Sequence, residues 1–178
     1  HENYTKFSAH IGRFPCVMIA PDDVAVITQA SDERRKFIDH TISQLDAAYL
    51  QSLIDYNKLL LQRNSLLKQL ADSGVIDENL MDVISDQLVE AGNAIYTRRK
   101  QFLEEFIPVV IALYHSIAAH KEKLTIAYRS SLESSDFKTM LSRNRAKDIA
   151  IQRTSGGVHR DDLELCLEGY PFKATASQ

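Results

Sequence analysis

Two long segments of the chain carry apolar residues at intervals of three and four. In the first, the apolar positions are Tyr49, Leu53, Tyr56, Leu60, Leu67 and Leu70, and Arg63 fills the one polar slot. In the second they are Ile84, Leu88, Ala91, Ile95, Phe102, Phe106, Val109, Leu113 and Ile117, with Arg98 interrupting in the same way. A spacing near 3.5 residues places one narrow apolar seam on each helix. Because the polar break Asp72-Ser73-Gly74 separates the segments, we expect an antiparallel helical hairpin within residues 31–119.

Shorter elements are predicted on both sides of this hairpin. The apolar run Cys16–Ala20, which contains β-branched residues and is closed by Pro21, predicts a buried strand. Leu124–Tyr128 alternates and predicts another strand, and residues 163–173 predict a β-hairpin with its turn at Glu168-Gly169. The predicted fold class is therefore α+β and predominantly helical, with a long antiparallel hairpin on a base of short strands and helices.

Polar residues and prolines predict where the helices begin, end and bend. Pro21-Asp22-Asp23 is typical of a first helical turn, and Ser31 and Asp77 are candidate caps of the two arms. Asp46 divides the first arm into helices 32–44 and 47–71. Ser134 or Ser135 is expected to cap a later helix that runs to about Arg153, with its inner side formed by Phe137, Met140, Leu141, Ile149 and Ile151.

Pro108 interrupts the pattern of the second arm. Proline cannot donate a hydrogen bond to the carbonyl of Glu104, and its ring crowds that turn. We therefore expect a kink or a break near Phe106–Ile107.

Length and composition favour one globular domain with a core. The chain has 178 residues, of which 44% are hydrophobic and 25% charged, and its net charge of −3 gives no nucleic-acid signal over the whole surface. No apolar run approaches the roughly 20 residues of a membrane span. Cys16 and Cys166 are expected to be reduced, buried thiols, and the predicted location is the cytoplasm. Because His1 is not a methionine and the chain ends just after the hairpin, we interpret it as a fragment.

The strongest chemical signal is the run His159-Arg160-Asp161-Asp162 at the head of a strand. Such a cluster could coordinate Mg²⁺, grip phosphate or form an internal ion-pair network, and the sequence leaves these alternatives open. Asp22 and Asp23 are either helix caps or a carboxylate pair near phosphate chemistry. Two basic clusters, Arg34-Arg35-Lys36 and Arg98-Arg99-Lys100, are either solvated faces or phosphate contacts.

No complete active site is present in the sequence. It contains no G-x-x-x-x-G-K-[ST], no G-x-S-x-G, no H-E-x-x-H and no C-x-x-C, and its six histidines lack metal-binding spacing. His159-Arg160-Asp161 matches the start of a kinase catalytic loop, but Cys166 stands where that loop needs asparagine. No metal site and no enzyme activity are therefore predicted for this chain.

Several motifs, taken together and in order, resemble the RecF family of bacterial DNA replication and repair ATPases, which are ABC-type ATPases. They are Ile11–Pro15, Ala20–Asp23, Glu33–Asp39, Ser43–Asp46, Tyr56–Lys58, Gln62–Lys68 and Gly157–Leu163. The resemblance covers essentially the whole chain. Val158 replaces the proline that the family usually has before His-Arg-Asp-Asp, which is a small departure.

The resemblance implies an internal fragment of such a protein. Residues 1–30 would lead from the ATPase head, residues 31–119 would form the helical lobe, and residues 120–178 would return to the head. Ser177 and Gln178 would then begin the signature motif. The parent would bind ATP with Mg²⁺, dimerise in an ATP-dependent way, and act with RecO and RecR on single-stranded or gapped DNA. No membrane contact is implied.

The same resemblance ranks the candidate residues. Those implied to lie near the ATPase head are Asp22, Asp23, His159, Arg160, Asp161, Asp162, Ser177 and Gln178. Those implied to contact DNA or a partner are Arg34, Arg35, Lys36, Arg98, Arg99 and Lys100. Two other hypotheses remain: a free-standing antiparallel coiled-coil adaptor without nucleotide function, and a magnesium hydrolase that uses His159, Asp161 and Asp162.

Overall fold

The computed structural model describes residues 10–14, 16–118 and 122–172. The chain divides into two compact units. The first comprises His1–Ala47, Arg98–Arg129 and Asp161–Gln178, and the second comprises Ala48–Thr97 and Ser130–Arg160. The predicted boundaries at residues 30/31 and 119/120 stay a prediction.

Five α-helices are described, and most of their predicted bounds are confirmed. They are α1 (Ala25–Thr28), α2 (Ser31–Leu45), α3 (Ala47–Ser73), α4 (Glu78–Ile117) and α5 (Phe137–Ala150). Short 3₁₀ turns lie at Pro21–Val24, Ser131–Glu133 and Val158–Arg160. Asp46 separates α2 from α3 as expected, and Asp77 caps α4 by accepting a hydrogen bond from the N–H of Leu80 at 3.1 Å.

In the second unit, α3 and the first half of α4 form the expected antiparallel hairpin. A Cβ atom on Gly92 would contact the ring of Tyr56, the Nε of Arg63 lies 3.4 Å from the Oγ of Ser85, and Leu67 lines the same cleft as Met81. Residue numbers thus rise along α3 as they fall along α4, which defines an antiparallel pair. Arg63 lies on the buried side of α3, at the polar slot of the seam.

The seam of α4 departs from the prediction after Ile95. Its buried positions are Met81, Ile84, Leu88, Gly92, Ile95, Arg99 and Leu103, so Arg99 and Leu103 occupy the places expected for Arg98 and Phe102. Val109, Leu113 and Ile117 were expected in the seam and are exposed. A strict 3.5-residue repeat drifts by about 20° per heptad on a straight helix, so the extrapolated seam turns progressively away from the buried face of α4.

Pro108 does not break α4, which continues from Glu78 to Ile117. The helix is therefore not broken near Phe106–Ile107, and a kink there stays a prediction. A proline removes one hydrogen bond of the ladder, and the turns on either side still form theirs.

The expected buried strand at Cys16–Ala20 is wrong. These residues are not in a strand, and Val17, Met18 and Ile19 are exposed. Cys16 is exposed too, contrary to the prediction, although both cysteines are free thiols and Cys166 is half-buried. A β-branched run needs a hydrogen-bonding neighbour to become a strand, and the described part of the chain offers none at this position.

The first unit contains an antiparallel sheet in the order β1 (Leu124–Arg129), β2 (Asp162–Leu167) and β3 (Tyr170–Pro171). This confirms the strand at Leu124 and the β-hairpin. Glu168 and Gly169 both have positive φ, 50° and 81°, which is the conformation of a type I′ turn. The turn sets Leu167 opposite Tyr170, and the register of β1 sets Arg129 opposite Asp162.

Helix α5 begins and ends at other residues than expected. Its cap is Asp136, whose Oδ2 accepts from the N–H of Thr139 at 2.9 Å, rather than Ser134 or Ser135. This contact holds the pKa of the Asp136 carboxyl below its usual range. The helix ends at Ala150, before Arg153, because Gln152 takes a positive φ of 55° and the N–H of Arg153 bonds back to Asp148. Such a left-handed C-terminal turn ends a helix.

Candidate functional site

The run from Thr154 to Asp162 is held by two buried polar networks, one in each unit. The Arg99 network, in the first unit, consists of Arg34, Arg35, Asp39, Arg99, Tyr128, Asp161 and Asp162. The Arg63 network, in the second unit, consists of Arg63, Asn64, Asp148, Thr154 and Ser155.

Arg99 is the centre of the first network, and its side chain is 3% exposed. Its Nε and Nη2 donate to the two carboxylate oxygens of Asp39, both at 3.0 Å. Its Nη1 donates to Oδ2 of Asp161, also at 3.0 Å. All three nitrogens of the guanidinium therefore meet a carboxylate, in the forked geometry that binds most strongly.

Two further side chains fix Asp161. The phenol of Tyr128 on β1 donates to the same Oδ2 at 2.5 Å, and Nη1 of Arg35 donates to the main-chain carbonyl of Asp161 at 2.6 Å. Burial, followed by the charge of Asp161, raises the pKa of Tyr128, so its proton stays on the phenol. Burial, followed by the nearby charge of Arg99, lowers the pKa of Arg35. Asp161 is thus held through both its side chain and its backbone.

Arg34 and Asp162 form the outer edge of the network. Nε and Nη2 of Arg34 donate to Oδ1 and Oδ2 of Asp162, at 2.6 and 3.1 Å. Nη1 of Arg34 also donates to the carbonyls of Val26 and Gln29, at 3.3 and 3.1 Å. The start of β2 is thereby joined to α2 and to the end of α1. Three arginines face three aspartates across the network.

In the second unit, Arg63 pairs with Asp148, whose side chain is 0% exposed. Nη1 of Arg63 donates to Oδ2 of Asp148 at 2.9 Å and to Oγ1 of Thr154 at 2.6 Å. The other oxygen of Asp148 accepts from the N–H and the hydroxyl of Ser155, at 2.9 and 2.6 Å. The side-chain oxygen of Asn64 accepts from the N–H and the hydroxyl of Thr154. The Arg63–Asp148 ion pair and the Asn64 amide therefore anchor residues 154 and 155.

His159 is bound inside the second unit. Its Nε2 lies 3.1 Å from the carbonyl of Thr154, and its Nδ1 lies 2.7 Å from the phenol of Tyr56. A carbonyl only accepts, so Nε2 carries a proton. In the neutral ring Nδ1 then accepts from the Tyr56 phenol. His159 thus closes the loop from Thr154 back onto α3.

Gly157 lets this loop approach two aromatic rings. Its φ is +126°, which only glycine adopts readily, and a Cβ atom would lie 2.7 Å from both Phe137 and the Tyr56 hydroxyl. A larger residue here would displace the Tyr56–His159 contact.

The four consecutive candidate residues 159–162 belong to different units, two to each. His159 is half-buried and Arg160 exposed in the second unit, whereas Asp161 is buried and Asp162 half-buried in the first. Among the alternatives that the sequence left open, this geometry favours an internal ion-pair network. Asp22 and Asp23 are exposed, and Oδ2 of Asp23 accepts from the N–H of Ala20 at 2.7 Å, as a helix cap does. Ser177 and Gln178 lie outside the described residues.

The basic candidates also separate into two groups. Arg34, Arg35 and Arg99 face carboxylates and carbonyls inside the Arg99 network. On the surface, Lys36 pairs with Glu33 at 2.6 Å, which raises the pKa of Lys36, and Arg98 pairs with Asp46 at 2.8 Å. Lys100 is exposed.

Sequence reasoning missed six members of the two networks: Asp39, Asn64, Tyr128, Asp148, Thr154 and Ser155. Asp148 carried a usable signal, because it falls seven residues after Leu141 on the buried face of α5. Among the described residues, no group of three or more His, Cys, Asp and Glu side chains is placed to hold a metal ion. No helix within the same residues combines the length and apolar character needed to cross a bilayer.

Comparison with known proteins gives consistent matches over nearly the whole chain. The sequence is 43% identical to the DNA replication and repair protein RecF of Flavobacterium johnsoniae over 175 residues, which is 98% of this chain and 49% of the relative. It is 41% identical to RecF of Parabacteroides distasonis over 177 residues, or 99% of this chain and 47% of the relative. No protein-family model matches the sequence. The chain therefore spans about half the length of the curated relatives it matches.

Solved structures give the same match. A structure of the recombination mediator protein RecF-ATPrS in the RecFOR pathway superposes with a TM-score of 0.89 at 30% identity, over 98% of this chain and 49% of that one. A second, of RecF-ATP, gives a TM-score of 0.85 at 30% identity, over 94% of this chain and 47% of that one. Sequence and fold thus agree on the same relative.

Proposed function

Because this chain resembles a segment of RecF over nearly all of its length, we propose that it is the helical lobe and connecting strands of a RecF-like recombination and repair protein. The parent binds ATP with Mg²⁺, dimerises when ATP is bound, and acts in the cytoplasm on single-stranded or gapped DNA with RecR and RecO. The chain itself carries no complete ATPase site. The similarity to RecF-ATPrS, with a TM-score of 0.89 over 98% of the chain, carries this proposal.

Within the parent, Asp161 and Asp162 act as a latch that fixes the start of β2. The contacts of Arg99, Tyr128 and Arg35 support this role, because they hold Asp161 through its carboxylate and its carbonyl. The chain after β3 leads through Ser177 and Gln178, which the resemblance assigns to the signature motif of the ATPase head. A fixed β2–β3 hairpin then positions that motif against the nucleotide of a second protomer.

The latch is tested in the full-length parent with Asp162→Asn. Asp162 is partly exposed, so the protein should still fold, whereas the forked bond to Arg34 is weakened. The expected result is a lower fraction of dimer in saturating ATP and Mg²⁺, measured by size-exclusion chromatography with light scattering. Glu164→Gln is the matched control, because Glu164 lies on the same strand and pairs only at the surface with Arg129. Equal dimerisation of both variants and the wild type would contradict the latch, and absence of any ATP-dependent dimer in the wild type would contradict the proposed function itself.

The surface cations Lys36, Arg98 and Lys100 are the proposed contacts to DNA phosphates. They lie at the surface, whereas Arg34, Arg35 and Arg99 are engaged in the Arg99 network. Each true contact contributes about 0.7–0.9 to the slope of log K against log salt concentration. In the parent, Arg98→Ala and Lys100→Ala should each reduce the slope for gapped DNA by about that amount. Arg143→Ala, on the exposed face of α5, is the control that should leave the slope unchanged.

A further inference from the structure

The second half of α4, which belongs to the first unit, is apolar on more sides than its neighbours cover. Residues 106–113 are eight consecutive positions without a polar or charged side chain. A helix that is apolar all round is normally enclosed by protein. Val109 and Leu113 are nevertheless 56% and 59% exposed, and Ile117 in the last turn is 83% exposed.

These side chains continue a row of apolar residues that begins at a packed end of the helix segment. The row, which we call the α4 stripe, consists of Phe102, Phe106, Val109, Leu113 and Ile117, at spacings of three and four residues on one helix face. The rings of Phe102 and Phe106 stack with their centroids 5.1 Å apart. The ring of Phe106 also lies 6.2 Å from that of Phe37 on α2. The α4 stripe is therefore anchored on α2 at one end, and within the described residues its other end has no covering surface.

Apolar side chains with the highest exposure are concentrated in the first unit. Among the described residues, the large hydrophobic side chains that are at least 77% exposed are Phe14, Val17, Met18, Ile19 and Ile117, and all five belong to that unit. A contiguous exposed apolar surface on a soluble protein usually marks a place where another molecule binds. The first unit therefore has apolar surface to bury, and it lies in two separate segments of the sequence.

The charges along the α4 stripe favour a protein surface over a nucleic acid or a lipid surface. Residues 101–120 contain Glu104 and Glu105 but no lysine or arginine. Phosphate backbones and anionic lipid surfaces are bound through lysine and arginine side chains. An apolar face of another protein segment needs no such cations, because the burial of apolar surface supplies the attraction.

We propose that the α4 stripe is covered, in the parent, by an apolar face of the half of the polypeptide that lies outside this chain. The inference rests on the proposed function. The RecF relatives are about twice as long as this chain, which spans 49% and 47% of the two described above. A segment of the same polypeptide is held near the stripe at a high effective concentration, whereas a second copy loses translational and rotational freedom when it associates.

The test is hydroxyl-radical footprinting of the full-length parent without nucleotide, read by mass spectrometry and normalised to the intrinsic reactivity of each residue type. Leu61 on α3 is the internal reference, because it is an aliphatic side chain on a helix of the second unit and is 71% exposed. Without docking, Leu113 and Ile117 should be modified about as fast as Leu61, since their exposures of 59% and 83% bracket that value. Docking would leave both side chains about 5% exposed or less, so they should be modified about tenfold more slowly than Leu61.

Two matched variants of the parent test whether the α4 stripe itself is the docked surface. Leu113→Asp places a charge in the stripe and should raise the modification of Ile117 to about the rate of Leu61, while Ile42 in the core stays unmodified. Leu61→Asp puts the same charge at an exposed position of the second unit and should leave Ile117 protected.

Three results would overturn the proposal. They are modification of Leu113 and Ile117 as fast as that of Leu61 in the wild type, protection of Ile117 that survives Leu113→Asp, and protection that disappears on dilution. The last result would assign the stripe to a second copy of the protein. Because the parent carries no nucleotide in this experiment, protection of the stripe is read independently of ATP-dependent dimerisation, on which the proposed function is judged.

Discussion

Each of the two networks surrounds a buried arginine, but the groups that accept hydrogen bonds from Arg99 and from Arg63 differ. Arg99 has all three nitrogens on the carboxylates of Asp39 and Asp161, so charge is matched by charge. Arg63 has one carboxylate, that of Asp148, and completes its contacts with the hydroxyls of Thr154 and Ser85. The first arrangement is redundant, because Arg99 keeps one partner when the other is removed. The second is not redundant, because among the described contacts Asp148 is the single carboxylate that faces Arg63.

Removal of Asp148 should have the largest effect on stability. Asp148→Asn leaves Arg63 buried without a counter-charge, and breaking a buried pair in this way costs about 3–5 kcal/mol. The free energy of unfolding is measured by urea denaturation. Hydrogen exchange of the amides in α3 and α5 then shows whether the loss falls in the second unit. The double variant Arg63→Met with Asp148→Asn should recover part of the loss, because it removes the unpaired charge. Asp86→Asn, which breaks an exposed pair, is the control that should unfold like the wild type.

Removal of Asp161 should cost less, although Asp161 is equally buried. In Asp161→Asn, Arg99 still has the forked bond to Asp39, so the loss is that of hydrogen bonds to a charged group, about 1.5–3 kcal/mol. Faster hydrogen exchange should appear in β1 and β2 of the first unit. A loss equal to or larger than that of Asp148→Asn would contradict the redundancy of the Arg99 network.

The smallest effect on the free energy of unfolding is expected at high pH, where the Tyr128 phenol ionises in the unfolded chain. Its pKa is raised above the ordinary value of 10.0 by burial and by the charge of Asp161. Above about pH 10 the unfolded chain ionises this phenol while the folded chain keeps it protonated, so the free energy of unfolding falls as pH rises. The slope is at most about 1.4 kcal/mol per pH unit.

This slope is isolated by comparing the wild type with Tyr128→Phe from about pH 8 to pH 11, where the difference in unfolding free energy should shrink above pH 10. Tyr170→Phe, at an exposed tyrosine, is the control for general effects of alkali. A difference between wild type and Tyr128→Phe that stays constant with pH would contradict the assignment.

The spacing of apolar residues predicted the helices well, because the helical conformation of each turn depends mainly on residues that are close in the sequence. The bounds of α2 and α3, the cap at Asp77 and the hairpin turn at Glu168-Gly169 all depend on neighbouring residues, and all were predicted. The seam of α4 failed after Ile95, because a small error in the period accumulates along 40 residues. The run Cys16–Ala20 failed because a strand depends on a neighbour that its own sequence does not contain.

In the candidate site, too, the residues that are close in sequence could be predicted and their distant partners could not. The run His159–Asp162 stood out in the sequence as a cluster of polar residues whose role was left open, and in the structure Asp161 and Asp162 are engaged in ion pairs. Their partners Arg34 and Arg99 are 128 and 62 residues away, so no local pattern could pair them. Arg63 was visible as a polar slot in an apolar seam, but its partner Asp148 required the fold.

The hairpin turn also determines how the sheet of the first unit can grow. Glu168-Gly169 fixes the register so that β3 consists of Tyr170 and Pro171, and Pro171 has no N–H to offer a further strand. An edge of two residues that lacks one donor is a poor template for another chain. Among the described residues, the opposite edge is β1, whose six residues Leu124–Arg129 offer a longer row of backbone donors and acceptors. The two edges of the sheet therefore differ in length, and the position of a short turn sets that difference.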